Sequence, residues 1–349
     1  MNIKIATFFF GNNYGALLQA FYLKKFIEKK FINKKIDFLK YQPRKLILRE
    51  EFSPIIKKNP FKMLNGLIRF RKLRKWKKKN ISLNFDYKKK IDISSKGISI
   101  YGSDEIWNFS NPFFGYDDFF FGKYDKNYKI SYAASFGAAR YSNSQLEIKK
   151  EIKNLLSRFS YLSVRDEHSR NLLKSMNINS EIVLDPVFFD CKDLDKIDNR
   201  SDNNKCIIYG DFFSKFQIKK ITDYCKHKNY KILSVGYYNS WANSNTRMNP
   251  FEFLEEIKKS KIIFTSMFHG IQLAIKFKKN FWFSVDPYRA NKLEYFLIKL
   301  NLKKKQIQQN SNFDEEIDYI NLDEKLDNWK MFSREFLINS INSLEKNII

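Results

Sequence analysis

Cysteine is scarce in this chain: Cys191, Cys206 and Cys225 are the only three in 349 residues, with no C-x-x-C pair and no histidine at metal-ligand spacing beside them. An odd, scattered set of this kind excludes a disulfide framework and supports no zinc site. Long apolar runs are missing too. No stretch approaches the ~18 apolar residues of a membrane span, and the run inside MNIKIATFFFGNNYG is too short for the core of a signal peptide. The expectation is a cytoplasmic protein. Acidic residues are in deficit, with 38 Asp plus Glu against 64 Lys plus Arg and a formal net charge of +26. A hydrophobic content of 43%, with 17% aromatic residues, nevertheless rules out a disordered chain. At roughly 100 to 200 residues per domain, the length predicts two domains, each able to bury its own core.

The basic excess is concentrated. Residues 44–90 hold 17 Lys or Arg against three acids, which is +14 of the +26. Within it, Arg69 to Lys79 interleaves Phe70, Leu73 and Trp76 with eight basic residues, and Phe61, Leu64 and Leu67 precede it at near-helical spacing. A basic, partly amphipathic helix suits an anionic membrane surface, where each cation is worth about 1 kcal/mol. The plainer source of the excess is codon drift in an AT-rich genome, since the whole chain is rich in Lys, Asn, Ile and Phe. No recognition motif accompanies the charge, so nucleic acid is not an expected partner.

Short β-branched runs alternate with longer helical patterns, the signature of βαβ units and parallel sheets. Strands are predicted at 4–10, 98–101, 129–133, 161–164 and 181–184, with helices at 14–27, 145–158 and 166–176. A polar stretch from Lys192 to Lys205, with four Asp, three Asn and no aromatic residue, reads as a linker. The alternation then restarts: strands at 206–209, 231–235, 261–265 and 280–284, helices at 215–227, 250–259, 269–278 and 291–300, and terminal helices over 322–344. The expected architecture is α/β, with a Rossmann-like domain over 1–191 carrying a basic helical insertion at about 44–90, a linker at 192–205, and a second Rossmann-like domain with C-terminal helices over 206–349. Two such halves face a central cleft at the carboxyl ends of their strands.

Candidate chemistry falls at those strand ends. In KIIFTSMFHGIQLAIKF, His269 sits in the turn after a buried strand or in the first turn of the helix that follows, where free N–H groups and the helix dipole suit a carboxylate or phosphate and an imidazole is placed to donate a proton. The alternative is a capping histidine. Arg165 of YLSVRD, at a strand end just before a helix, either binds an anion across the cleft from His269 or pairs with Asp166 or Glu167. In GSDEIWN, Asp104 at a strand terminus is a candidate base and Trp107 a stacking face for a sugar ring; otherwise Ser103 or Asp104 caps a helix over a core tryptophan. Asn12, Asn13 and Gly15 suit close backbone approach to a ligand, although Asn-Asn turns also occur without one.

Taken together, NNYGALLQAF (12–21), YGSDEIWN (101–108), SYAASFG (131–137), SVRD (163–166), VLDPVF (183–188) and TSMFHG (265–270) resemble the polysaccharide pyruvyl transferase family, in order and at family-like spacing. The resemblance implies a GT-B-like pair of Rossmann-like domains, phosphoenolpyruvate as donor, and pyruvylation of a sugar in a cell-surface glycan, with no metal and no cofactor beyond phosphoenolpyruvate as co-substrate. By position, His269 is the matched histidine, as acid or phosphate ligand, and Arg165 the matched arginine. Ser266 and Gly270 of the same motif join the expected substrate-binding set. Many members carry an arginine two residues before the histidine, where this chain has Met267. Arg289 or Lys292, near the start of a late helix, would supply that cation or else be solvated surface charges.

Two other readings use the same residues. One is a GT-B-type glycosyltransferase taking a nucleotide sugar, with Gly236 to Ser244 as the only loop for a diphosphate. The other is a non-catalytic, basic membrane-binding protein. In the leading reading the acceptor is a polysaccharide or its lipid-linked precursor, and the basic segment holds the enzyme peripherally on the inner membrane face.

Overall fold

The computed structural model describes residues 2–52, 60–81, 88, 97–141, 146–195, 204–285 and 290–347. The first unit runs β1 (Asn2–Ala6), α1 (Tyr14–Lys30), β2 (Lys35–Phe38), α2 (Arg44–Phe52), α3 (Pro60–Asn80), β3 (Ile98–Tyr101), β4 (Tyr128–Ser131), α4 (Leu146–Leu156), β5 (Ser163–Val164), α5 (Glu167–Lys174) and β6 (Glu181–Ile182). Four of its strands form a parallel sheet in the order β2-β1-β3-β4. The parallel pair β5 and β6 extends it through the bridges Ile130↔Tyr161 and Ala134↔Val164. Ile98, Ile100 and Tyr101 are all buried, as expected of a strand covered on both faces.

The short helix α6 (Lys192–Asp195) opens the expected linker, and residues 196–203 lie outside the described residues. Asp195 is tied down: its carboxylate accepts from Tyr22 at 2.8 Å and pairs with Lys276 at 3.0 Å.

The second unit runs β7 (Lys205–Tyr209), α7 (Lys215–His227), β8 (Lys231–Val235), β9 (Ser244–Thr246), α8 (Pro250–Lys259), β10 (Ile262–Thr265), α9 (Phe268–Lys276), β11 (Asn280–Phe283) and α10 (Ala290–Lys299). Its five parallel strands are ordered β11-β10-β7-β8-β9. The period of two in these strands sorts residues between two apolar layers. Ile207, Tyr209, Ile263, Phe281 and Phe283 join the main core, which continues into the first unit; Cys206, Ile208, Ile262, Phe264 and Trp282 form a second core on the outer face.

One long helix, α11 (Tyr319–Lys346), ends the chain and crosses back to the first sheet. Trp329 Nε1 donates to Ile182 O at 3.0 Å, and Tyr161 donates to Ser343 Oγ at 2.8 Å. The two units also share aromatic contacts: α1 meets α8 through Phe21 and Phe251, with ring centroids 5.1 Å apart. No helix among the described residues is long and apolar enough to cross a membrane.

The basic helix α3 packs across this seam. Leu73 and Trp76 are buried, with the Trp76 ring 5.1 Å from Phe251 and 6.0 Å from Phe21. Leu73 and Trp76 of α3 are therefore spent on the protein's own body. The outward side of α3 carries the exposed Arg71, Arg74, Lys75, Lys78 and Lys79.

Candidate active site

A cavity of about 250 Å³ opens between the two units, walled by the segments that follow β1, β3, β5 and β10. Every one of those segments leaves the carboxyl end of a parallel strand, where this class of fold places its ligands. Asn13, Asp104, Arg165, Ser266 and His269 all reach the lining, Asn13 from seven residues after β1 and His269 from four after β10. Among the described residues no group of three His, Cys, Asp or Glu is arranged to hold a metal.

Arg165 is the electrostatic centre. Its two terminal nitrogens lie 3.1 Å from Asp104 Oδ1 and 3.0 Å from Asp185 Oδ2, and its guanidinium carbon lies 4.8 Å from the centre of the Phe268 ring. Burial opposes the charge, but Asp104 and then Asp185 outweigh it and hold the guanidinium above its ordinary pKa. Neither neighbour expected from the sequence is its partner. Asp166 instead caps α5, accepting from Ser169 N at 2.8 Å, and Glu167 pairs with Arg170 at 2.7 Å. The helix needs its cap, and the arginine points the other way, into the cleft.

Asp185 was not among the sequence candidates. It follows β6 in VLDPVF, where an acidic residue before a proline at a strand end was the available signal. Fully buried, it accepts from Val187 N at 3.1 Å and stands 3.5 Å from His269 Nε2. Burial alone would raise its pKa; the neighbouring imidazole, Arg165 and the Val187 N–H reverse this and lower it. His269 Nε2 is buried and makes no hydrogen bond, so the imidazole faces a carboxylate without being tied to it.

His269 owes its place to two glycines. Gly270 lets α9 close onto β10, since a Cβ there would fall 2.1 Å from Thr265 Oγ1. Gly15, on α1 of the other unit, leaves the space in which the imidazole sits. Met267 precedes α9 without capping it through its side chain; the Gly270 and Ile271 N–H groups donate to the Met267 carbonyl, and the N–H groups of Phe268 and His269 remain beside the cavity.

Asp104 is held at φ 78°, a left-handed conformation that Asp tolerates better than most residues. Its Oδ1 also accepts from Glu105 N at 2.9 Å. Asn13 caps α1, accepting from Gly15 N at 2.9 Å, and receives the Tyr209 hydroxyl at 3.0 Å from the second unit. The Asn12 carbonyl accepts from Arg69 of α3 at 2.5 Å, and the same guanidinium donates to Gly236 O across the seam.

Other candidates are placed elsewhere. Trp107 is wholly buried among Phe121, Phe136 and Phe159, with its N–H given to Phe120 O at 2.9 Å, so it offers no face to a sugar. Ser103 is buried behind the cavity, donating to Gln19 Oε1 at 2.5 Å, and is a packing residue. Arg289 lies outside the described residues. In the loop considered for a diphosphate, Asn239 is consumed internally, donating to Gly210 O and to Ser234 Oγ at 2.9 Å, and no residue of 236–244 lines the cavity.

Two parallel-sheet units with a polar cleft between the carboxyl ends of their strands make a GT-B-like arrangement. The sequence matches the family described as Polysaccharide pyruvyl transferase over residues 13–285. The chain belongs to the polysaccharide pyruvyl transferase family. No curated protein matches it. Solved structures similar to it include the S. aureus MnaA–UDP complex (11% identity, 96% of this chain and 91% of that one, TM-score 0.45). Others are the Neisseria meningitidis UDP-GlcNAc 2-epimerase bound to UDP-GlcNAc (13%, 96% and 94%, 0.44) and Medicago truncatula UGT71G1 complexed with UDP-glucose (10%, 99% and 98%, 0.43).

Proposed function

We propose that the enzyme transfers the pyruvate of phosphoenolpyruvate onto a sugar of a cell-surface polysaccharide or its lipid-linked precursor, forming a ketal and releasing inorganic phosphate. The observation that carries this reading is the meeting of His269, Arg165, Asp104 and the open N-terminus of α9 at one interdomain cavity. The reaction needs a proton on the methylene carbon of the donor, attack of a sugar hydroxyl on the adjacent carbon, departure of phosphate, and closure by a second hydroxyl. Of the two hydroxyl protons released, one balances the new methyl group and the other leaves with the phosphate. His269 is the acid or the phosphate ligand in this scheme, and Asp104 the base that takes the first hydroxyl proton. Arg165 fixes Asp104 and Asp185 in register. The donor is a co-substrate, and the scheme calls for no metal and no resident cofactor.

In this reading the outward basic side of α3 holds the enzyme at the membrane that carries a lipid-linked acceptor, engaging anionic lipid by charge while Leu73 and Trp76 stay in the protein.

Calorimetric titration of phosphoenolpyruvate into the wild type and His269→Ala, with a nucleotide-sugar panel alongside, tests the donor. Saturable binding weakened about fivefold or more by the substitution supports the reading. Binding of a nucleotide sugar and not of phosphoenolpyruvate overturns it.

A further inference from the structure

The cavity has more carboxylate around it than uncommitted positive charge. Its titratable lining consists of Arg49, Asp104, Glu105, Arg165 and His269. Arg165 is already matched by two carboxylates, Asp104 and Asp185, and Asp185 also faces His269. A donor with both a phosphate and a carboxylate would enter a site whose buried cation is spent.

Arg49 is different. It lies on α2, in the basic insertion, with its guanidinium carbon 3.5 Å from the centre of the Phe113 ring. It forms no hydrogen bond or ion pair with any described residue. Phe113 is itself 37% exposed and lines the same cavity, next to Phe8 and Phe114. Stacking on an aromatic face fixes the plane of a guanidinium and leaves its N–H donors pointing outward in that plane, the geometry that receives a phosphate through two parallel bonds.

We propose that Arg49, positioned by Phe113, is the cation that binds the phosphate group of the donor in this cleft. The inference rests on the phosphoenolpyruvate reading above. It gives the basic insertion a role in the site: α2 delivers one guanidinium to the cavity, while α3 closes the seam beside it.

The test is calorimetry with two probes, inorganic phosphate and phosphoenolpyruvate, on the wild type, Arg49→Ala, Arg49→Lys, Phe113→Leu and the surface control Lys174→Ala. The expected result is that Arg49→Ala weakens both probes about tenfold or more, as for loss of a charge-assisted contact. Arg49→Lys and Phe113→Leu fall between it and the wild type, and Lys174→Ala changes nothing. Phosphoenolpyruvate bound equally by the wild type and Arg49→Ala overturns the assignment and leaves the donor reading intact. An equal loss in Lys174→Ala overturns it as well, because overall charge then explains the effect. Phosphate bound through Arg49 with no binding of phosphoenolpyruvate supports Arg49 as the phosphate site and sinks the donor instead. Binding of neither probe overturns both.

Discussion

Gly15 and His269 touch across the domain boundary: a Cβ built on Gly15 would lie 2.4 Å from His269 Cγ and Nδ1. Gly15 opens α1 of the first unit and His269 opens α9 of the second, so each unit sets the other's helix terminus. Gly15→Ala must push the imidazole out of line with Asp185. A misplacement of about 1 Å costs roughly 100-fold in rate, and that loss is expected in kcat/KM. Alanine suits a helix better than glycine by roughly 0.5–1 kcal/mol, but the added carbon also meets His269 Cβ, and overpacking of this kind costs about 1–3 kcal/mol, so a modest loss of thermal stability is expected alongside. Full activity in Gly15→Ala would show that His269 needs no such bracing.

Asp185 is buried against Arg165 and His269. Asp185→Asn keeps the shape and the Val187 contact but leaves the guanidinium with one carboxylate. Removing one partner of a buried pair typically costs about 3–5 kcal/mol. Here Asp104 remains, so the lower end is expected in urea denaturation, with a larger proportional loss of activity. Stability unchanged within error would mean that Asp104 alone neutralises Arg165.

Much of this arrangement was legible in the chain. The helices at 215–227 and 250–259 and the strands at 98–101 and 231–235 fall where periodicity put them, because in each the apolar pattern and the caps agree: Ser214 and Asn249 both close capping boxes. The first strand stops at Ala6 rather than Phe10, because the following residues serve tertiary contacts; the Thr7 carbonyl, for example, accepts from Gln42. Strand β2, four residues long and exposed at alternate positions, is too short to stand out beside α1, and β9 is shorter still. Strand-end placement also brings Asp104, Arg165 and His269 to one cavity, since topology alone converges such positions. It did not separate Trp107 from them, because an aromatic one turn past a strand reads alike whether it faces the cleft or the core. Arg49 was hidden in a run of like charges, where only its stacking on Phe113 distinguishes it.

Trp107 gives a direct check on the corrected placement. Trp107→Phe removes the indole donor to Phe120 O and opens space in a packed aromatic cluster. The expected cost is about 1–3 kcal/mol of stability, with the acceptor KM unchanged. A KM increase with stability intact would return the residue to the sugar site.

Lys276 donates to Val187 O and Phe189 O at 2.8 and 2.7 Å and pairs with Asp195, all from inside the seam. Burial lowers its pKa from 10.5 to about 8, with Asp195 only partly restoring it. Between about pH 8 and 10.5 the unfolded chain therefore binds more protons at this position than the folded one, and stability rises with pH through that window. Relative to Lys276→Met, the wild type should gain on the order of 1 kcal/mol between pH 7.5 and 9.5, read from paired urea titrations. A flat difference would mean that Lys276 keeps its proton throughout.

The outward basic side of α3 makes the membrane proposal separable from insertion. Arg71, Arg74, Lys75, Lys78 and Lys79 are exposed, whereas Leu73 and Trp76 are locked against the seam. Binding through this face is then purely electrostatic, about 1 kcal/mol per cation near an anionic surface and screened within a Debye length of about 10 Å at 0.1 M salt. Cosedimentation with phosphatidylserine-containing vesicles should be strong at low salt and lost at high salt. It should be absent with phosphatidylcholine alone, and abolished when the five cations are changed to glutamine. Phosphoenolpyruvate binding should survive the same substitutions, because none of the five lines the cavity. Binding that persists in high salt would instead require apolar insertion, for which α3 would have to leave Phe21 and Phe251. Trapping α3 by a disulfide to α8 would then abolish the salt-resistant fraction and leave electrostatic binding untouched.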